Sequence, residues 1–210
     1  MKLVGMLDSP YVRRVAVSLQ LLGLRFEHQS LSLFRTFEAF HQINPVVKAP
    51  SFLCDDGTVL MDSSLILTYA EAVAKPRTLM PADLPALQRD LRLIGLALAA
   101  CEKSVQIIYE RALRPLEKQH HPWVQRVTGQ LLAAAAGMEA ELAERPAPNE
   151  RSAWRQAHVD VAVTWHFMQQ TIAAILPAAN YPRLEAFSAA AEALPEFKAA
   201  PHGEAAYPQR

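Results

Sequence analysis

The sequence predicts a small α/β domain followed by an all-helical domain. Three observations carry that reading. Strand-like, helix-like and hairpin signals alternate through residues 1–75; a proline-bearing stretch follows at Lys75–Leu84; beyond it every periodic segment has helical spacing. The boundaries fall at 1–75 for the first domain, 76–84 for a linker and 85–210 for the helical domain.

Each element has its own signature. Lys2–Leu7 is a short apolar run ending at Asp8-Ser9-Pro10, as a buried strand entering a turn does. From Tyr11 onward Val12, Val15, Ala16, Leu19 and Leu22 recur at helical spacing. Ser9 and Pro10 stand where an N-cap and a first-turn proline belong, and Gly23 stands just past the end. Phe26–Ser30 reads as a second strand and Phe34–Ile43 as a short helix. Two prolines keep Asn44–Pro50 out of regular structure. Ser51–Cys54 and Val59–Met61 flank Asp55-Asp56-Gly57, a hairpin signal. Asp62-Ser63-Ser64 then opens a helix with the stripe Leu65, Ile66, Tyr69, Ala70 and Val73. The order is β-α-β-α-β-β-α, a parallel βαβ unit joined to a hairpin and a last helix. Ala86–Leu113 and Pro122–Leu142 are long alanine- and leucine-rich helices. Arg145-Pro146-Ala147-Pro148-Asn149 breaks the pattern, helices follow over Ser152–Leu176 and Pro182–Leu194, and a proline-containing tail ends the chain.

Composition excludes several classes of function. The 210 residues are 51% apolar, with 21 basic and 21 acidic side chains distributed evenly. A chain of that kind folds, and neither half is basic enough for electrostatic nucleic-acid binding. The most apolar stretch, Leu131–Met138, is far shorter than the roughly 20 residues a spanning helix needs. Asp8 interrupts the N-terminal run before signal-peptide length. Cys54 and Cys101 have neither a C-x-x-C nor a zinc spacing, so a reducing cytoplasm is expected, with neither membrane nor nucleic acid as partner. The seven glycines form no phosphate-binding loop, and no zinc- or serine-hydrolase motif is present. His120-His121 are adjacent at a helix start and do not share a face, and His158 and His166, which could share one, lack a carboxylate to complete a ligand set, so all read as structural and no metal is expected.

Three segments of the first domain carry unusual chemistry. Ser9 puts a hydroxyl at a helix start beside unpaired N–H groups and the positive end of the dipole, where anions bind. In Lys48-Ala49-Pro50 the proline forces Ala49 into extended geometry and leaves its N–H and C=O open to an extended ligand. Asp62-Ser63 sets an acid and a hydroxyl at another helix start, a pair suited to the zwitterionic head of an amino acid. Each alone is a common cap or loop; their order and spacing are the signal.

That order resembles the cytosolic glutathione S-transferases, through S-P-Y-V-R-R at 9–14, N-P-V-V-K-A-P at 44–50, D-S at 62–63 and L-M-P at 79–81. The likeness is greater to bacterial members and to the serine- or cysteine-type zeta, beta and omega classes than to the tyrosine type, and it covers essentially the whole chain. It implies a thioredoxin-like N-terminal domain, an all-α C-terminal domain, glutathione as co-substrate without a metal, a homodimer, and a role in detoxification. Carried over by position, Ser9 matches the catalytic hydroxyl or thiol. Ala49 matches the residue whose backbone pairs with the cysteinyl part of glutathione, and Pro50 the cis-proline after it. Asp62 and Ser63 match the acid–serine pair at the γ-glutamyl end, and Lys48 or Arg35 meets the glycyl carboxylate. The resemblance implies activation of the bound thiol for attack on a small hydrophobic electrophile, by conjugation, isomerisation or peroxide reduction. A non-catalytic glutathione-binding carrier and an interaction module are the alternatives.

An electrophile pocket between the domains is expected to draw on Tyr11 and on Tyr109, Glu110 and Arg111 of the first long helix; Trp165 and Phe167 further on are further candidates, although core packing is the commoner role for such aromatics. Arg13 and Arg14 are expected to form salt bridges and add positive field. Three positions depart from the family pattern. Val47 stands where glycine is common, and Asp62 where glutamate is frequent. Ala157 precedes Asp160 by three residues in place of a Ser or Thr, which removes a capping bond worth about 1 kcal/mol.

Overall fold

The computed structural model describes residues 1–145 and 147–207. The chain divides into two units, one made of residues 1–80 with the chain from Ala193 onward, the other of Pro81–Glu192.

In the first unit the order is β1 (Lys2–Val4), α1 (Pro10–Leu21), β2 (Glu27–Gln29), α2 (Phe37–Ile43), β3 (Ser51–Leu53), β4 (Val59–Leu60) and α3 (Ser63–Val73). The strands form one sheet in the order β2-β1-β3-β4. β1 runs parallel to β2 and antiparallel to β3, and β3 pairs antiparallel with β4. Strand 1 is shorter than the sequence suggests, because Gly5 turns the chain at a φ of +135°. α1 and α3 pack together, and Leu3, Val12, Leu19, Phe52 and Ile66 form the core beneath them.

The tail corrects the expectation that residues 85–210 form one helical domain. A short helix, α8 (Pro195–Ala199), was not foreseen in it, and it packs on α1. Arg13 explains the attachment. Its buried guanidinium donates from Nε to the Ala200 carbonyl at 2.8 Å and from Nη2 to the Phe197 carbonyl at 3.5 Å, and it lies over the Phe197 ring at 5.6 Å. A cation is thus placed on the last carbonyls of α8, where helix ends leave acceptors unpaired.

The second unit contains α4 (Leu84–Leu113), α5 (His121–Glu141), α6 (Gln156–Thr171) and α7 (Pro182–Glu192). α4 begins at Asp83, which caps Ala86 N–H at 3.0 Å. Its buried stripe Leu93, Ala97, Ala100, Ser104 and Ile107 meets α5 and α6. Of the segment expected to break the pattern, Pro146 lies outside the described residues. α6 starts four residues later than expected and stops at Thr171. Its cap differs as well. His158 Nδ1 accepts the Arg155 N–H at 3.2 Å, and Asp160 is held inside the helix by Gln156 Nε2 at 2.7 Å. The cap is thus set two residues earlier, with the ring nitrogen of His158 in the role expected of the Asp160 carboxylate.

That replacement makes the helical unit acid-sensitive. Burial, with Arg155 and Arg145 nearby, holds His158 down at about 4. The folded state therefore binds fewer protons than the unfolded chain below pH 6.5, and stability falls as pH drops from there to about 4. A shift of that size is worth about 3 kcal/mol at its full extent. Urea unfolding at stepped pH is expected to show this loss, and His158→Gln, which keeps an acceptor at the third helical position, is expected to flatten it.

Candidate functional site

The sheet register decides which residues share an end. Val4 stands opposite both Gln29 and Ser51, and Leu60 stands opposite Phe52. The residues just beyond (Gly5 after β1, Ala49-Pro50 before β3, Met61-Asp62 after β4) therefore emerge at one end of the sheet, where α1 and α3 begin. Ser9, Ala49, Asp62 and Ser63 are brought to that end.

Gly5 makes the approach possible. A Cβ on it would stand 2.6 Å from Val12 Cγ2 and 3.2 Å from the Ala49 Cβ, so a side chain there would push the 47–50 loop away from α1. The Ala49–Pro50 bond is cis. Among the described residues, no partner takes the Ala49 N–H or C=O. The loop itself is braced by Asn44, a buried amide. Its Nδ2 donates to Ser51 Oγ at 2.8 Å and lies 3.2 Å from Met61 Sδ, while its Oδ1 accepts the Val46 N–H at 3.0 Å. Ser51 Oγ in turn donates to the Lys48 carbonyl at 2.8 Å. Lys48 itself is exposed.

Ser9 is the N-cap of α1, but a loose one: its Oγ lies 3.5 Å from the Val12 N–H, at the limit of a hydrogen bond. Its own O–H donates to no acceptor among the described residues. Asp62 caps α3 through Oδ1, which accepts from Ser64 N at 2.9 Å and Leu65 N at 3.5 Å. The two helix starts are joined by Arg14, whose Nη1 donates to Ser63 Oγ at 2.9 Å and to Ser64 Oγ at 3.3 Å. Arg14 is buried, so the start of α3 combines the helix dipole with a guanidinium. Sequence reasoning misses the Ser63 contact, for which one signal is available: α1 contains no Asp or Glu to pair with Arg14 along the helix, so its partners come from other elements.

Arg35 stands beside the same end. Its Nη2 is 2.6 Å from Glu204 Oε1 and 3.6 Å from Met6 Sδ in the loop leading to Ser9. Asp8, next to Ser9, has its carboxyl pushed up chiefly by burial and also by Glu204, with Arg35 acting against them. Tyr11 follows on α1, half-buried.

Of the second-unit candidates, Tyr109 and Arg111 are exposed near the end of α4. Trp165 is a correction: it is 1% exposed, donates from Nε1 to Glu185 Oε2 at 2.9 Å and packs on Tyr181, which makes it a core residue and not a lining one. Phe167 is buried too. Glu110 is occupied, accepting from His120 N and from Arg114 Nε, each at 2.9 Å, and so pins the turn after α4. Among the described residues no cluster of metal-ligating side chains is present.

A four-stranded mixed sheet with a cis-proline entering its inner strand β3, preceding a helical unit, defines a thioredoxin-like domain joined to an all-α one. Residues 3–78 match the family model described as glutathione S-transferase, N-terminal domain. Glutathione S-transferase U4 of Arabidopsis thaliana is 33% identical over 82 residues, covering 39% of this chain and 37% of that protein. An uncharacterized GST-like protein, YibF, of Escherichia coli K12 is 29% identical over 119 residues, 57% of this chain and 58% of that one. The chain thus spans well under two thirds of these curated relatives. Among solved structures, a glutathione transferase family member from Pseudomonas fluorescens Pf-5 with bound glutathione has a TM-score of 0.79 at 29% identity, covering 95% of this chain and 97% of that one. A glutathione S-transferase from Methylobacterium radiotolerans, in complex with glutathione sulfonate, shares the fold at a TM-score of 0.87 and 23% identity over 97% and 96% of the two chains. Residues 3–78 thus match a glutathione S-transferase N-terminal domain, and the chain as a whole is similar in fold to solved glutathione transferases.

Val47, where the family commonly has glycine, sits at a φ of +51°. A β-branched residue there costs about 1–2 kcal/mol in backbone energy. Val47→Gly is expected to raise stability by about 0.5–1 kcal/mol net of the entropy glycine adds to the unfolded chain. A lower urea midpoint would mean that the valine's packing outweighs its strained backbone.

Proposed function

We propose that this chain is a glutathione transferase that binds the tripeptide along the described end of the sheet and keeps its sulfur ionised for attack on a small apolar electrophile. The observation that carries the reading is the pair of helix starts. One presents a hydroxyl with an unused proton, Ser9, and the other an Arg14–Ser63 contact beside Asp62. The γ-glutamyl carboxylate meets Ser63, Arg14 and the N-terminus of α3, and its ammonium meets Asp62. The open backbone of Ala49 pairs with the cysteinyl residue as an added strand would. Lys48 and Arg35 serve the glycyl carboxylate, and Tyr11, half-buried on α1, is the first unit's candidate for touching the electrophile.

The magnitudes are sufficient. Lowering a thiol pKa from about 8.5 by two units takes roughly 2.7 kcal/mol. A hydrogen bond from Ser9 to a charged sulfur supplies roughly 1.5–3 kcal/mol, and the N-terminus of α1 adds roughly 0.3–1 kcal/mol. The thiolate then forms a bond to the electrophilic carbon as the leaving group departs with its electron pair. The proton lost from the thiol passes to solvent.

The reading extends to assembly and place. Leu65, Tyr69 and Val73 form one stripe of α3 and are 61%, 37% and 43% exposed, an apolar surface fit for a second copy of the chain. The two free cysteines accord with a reducing cytoplasm. Light scattering is expected to give the mass of two 23.3 kDa chains; a one-chain mass would remove the dimer.

Two variants separate chemistry from binding. Ser9→Ala is expected to lower turnover of a model aryl halide about tenfold to a hundredfold, with the calorimetric Kd for glutathione little changed. Arg14→Met is expected to weaken that Kd about tenfold, with circular dichroism confirming the fold. Full turnover in Ser9→Ala would remove Ser9 from the mechanism. Tight binding without turnover on any electrophile would make the chain a carrier, and no binding at all an interaction module.

A further inference from the structure

We propose that residues 201–207 form a built-in competitor for the tripeptide, with the Glu204 carboxylate standing at Arg35 where the glycyl carboxylate of glutathione would stand. This rests on the functional reading above. The tail is laid along β2 by four contacts. The Glu204 carbonyl accepts from Ser30 Oγ at 2.7 Å, and its side chain meets Arg35 Nη2 at 2.6 Å. The Tyr207 N–H donates to His28 Nδ1 at 2.8 Å, and the Tyr207 ring stacks on Phe26 at 4.8 Å.

His28 fixes the path of this strap. Its Nε2 lies 2.7 Å from the Gly5 carbonyl, which can only accept, so Nε2 carries the proton and Nδ1 offers the lone pair that Tyr207 uses. One neutral ring therefore ties the strap to the turn that leads to Ser9. Strap and site share a joint.

The charges around Arg35 set the competition. Asp8 and Glu204 both act on the neighbourhood of that guanidinium. An arriving ligand carboxylate is a third negative group beside that guanidinium, so it binds Arg35 by displacing Glu204. Both side chains of the pair are largely exposed, at 61% and 66%. Such a pair is weak and salt-screened, which makes Glu204 a displaceable occupant rather than a permanent block.

The test is calorimetric titration of the full chain and of Glu204→Gln with glutathione and, separately, with γ-glutamylcysteine, which lacks the glycyl carboxylate. Removing the charge is expected to tighten glutathione about threefold at low salt and progressively less as salt rises. The dipeptide is expected to bind both proteins equally. In an Arg35→Gln background the effect of Glu204→Gln is expected to vanish. An unchanged glutathione Kd in Glu204→Gln, or an equal shift for the dipeptide, overturns the strap proposal and leaves the transferase reading standing. Failure of the unaltered chain and every variant to bind either peptide overturns the transferase reading, and the strap with it.

Discussion

The missing side chain at Gly5 is the constraint on which the candidate site depends. Its backbone ends β1, bonding from N–H to the Gln29 carbonyl at 3.0 Å and offering its own carbonyl to His28 at 2.7 Å. Its bare Cα lets the Val12 and Ala49 side chains close in from either side. Four segments (β2, α1, the 47–50 loop and, through His28, the tail) thus meet at one residue. Any Cβ would separate the hydroxyl-bearing helix start from the open backbone of Ala49. A φ of +135° removes the remaining choice of residue.

Around that joint the electrostatics are arranged in two stations. At α3, Arg14 lies buried under the helix start, so a ligand carboxylate there meets dipole, hydroxyl and cation together and loses little to water screening. Near α1 the cation is Arg35, exposed and already engaged by Glu204. The first station is preorganised; the second must exchange one carboxylate for another.

The order of elements in the first unit was legible because each carries a local signal: Ser9-Pro10 at a helix start, Asp55-Asp56-Gly57 at a hairpin, Asp62 at a cap. Their residues alone placed α1 and α3 within a residue or two. What escaped was set by distant partners. Arg13 reaches Ala200, 187 positions away, so the attachment of the tail to the first unit had no local trace. Arg14 is a donor to Ser63 across 49 positions. Trp165 admits a core role and a pocket role from sequence, and its bond to Glu185 and its contact with Tyr181 decide for the core. His158 as the acceptor at the start of α6 escaped because a histidine there is legible as a cap only once the helix start is known.

Ser9 also limits the chemistry open to the pocket, on the transferase reading. A hydroxyl forms no mixed disulfide, so electron transfer by thiol–disulfide exchange cannot pass through this position. Neither cysteine replaces it. Cys101 is buried in α4, with its Sγ 3.1 Å from Thr164 Oγ1. Cys54 sits at the far turn of the β3–β4 hairpin, where its N–H bonds to the Thr58 carbonyl at 2.9 Å, and the register puts that turn at the end of the sheet away from Ser9. The sulfur that reacts must therefore arrive with the ligand. On that reading the protein's part is to hold that sulfur charged beside a helix start and to grip the rest of the tripeptide firmly enough to keep it there.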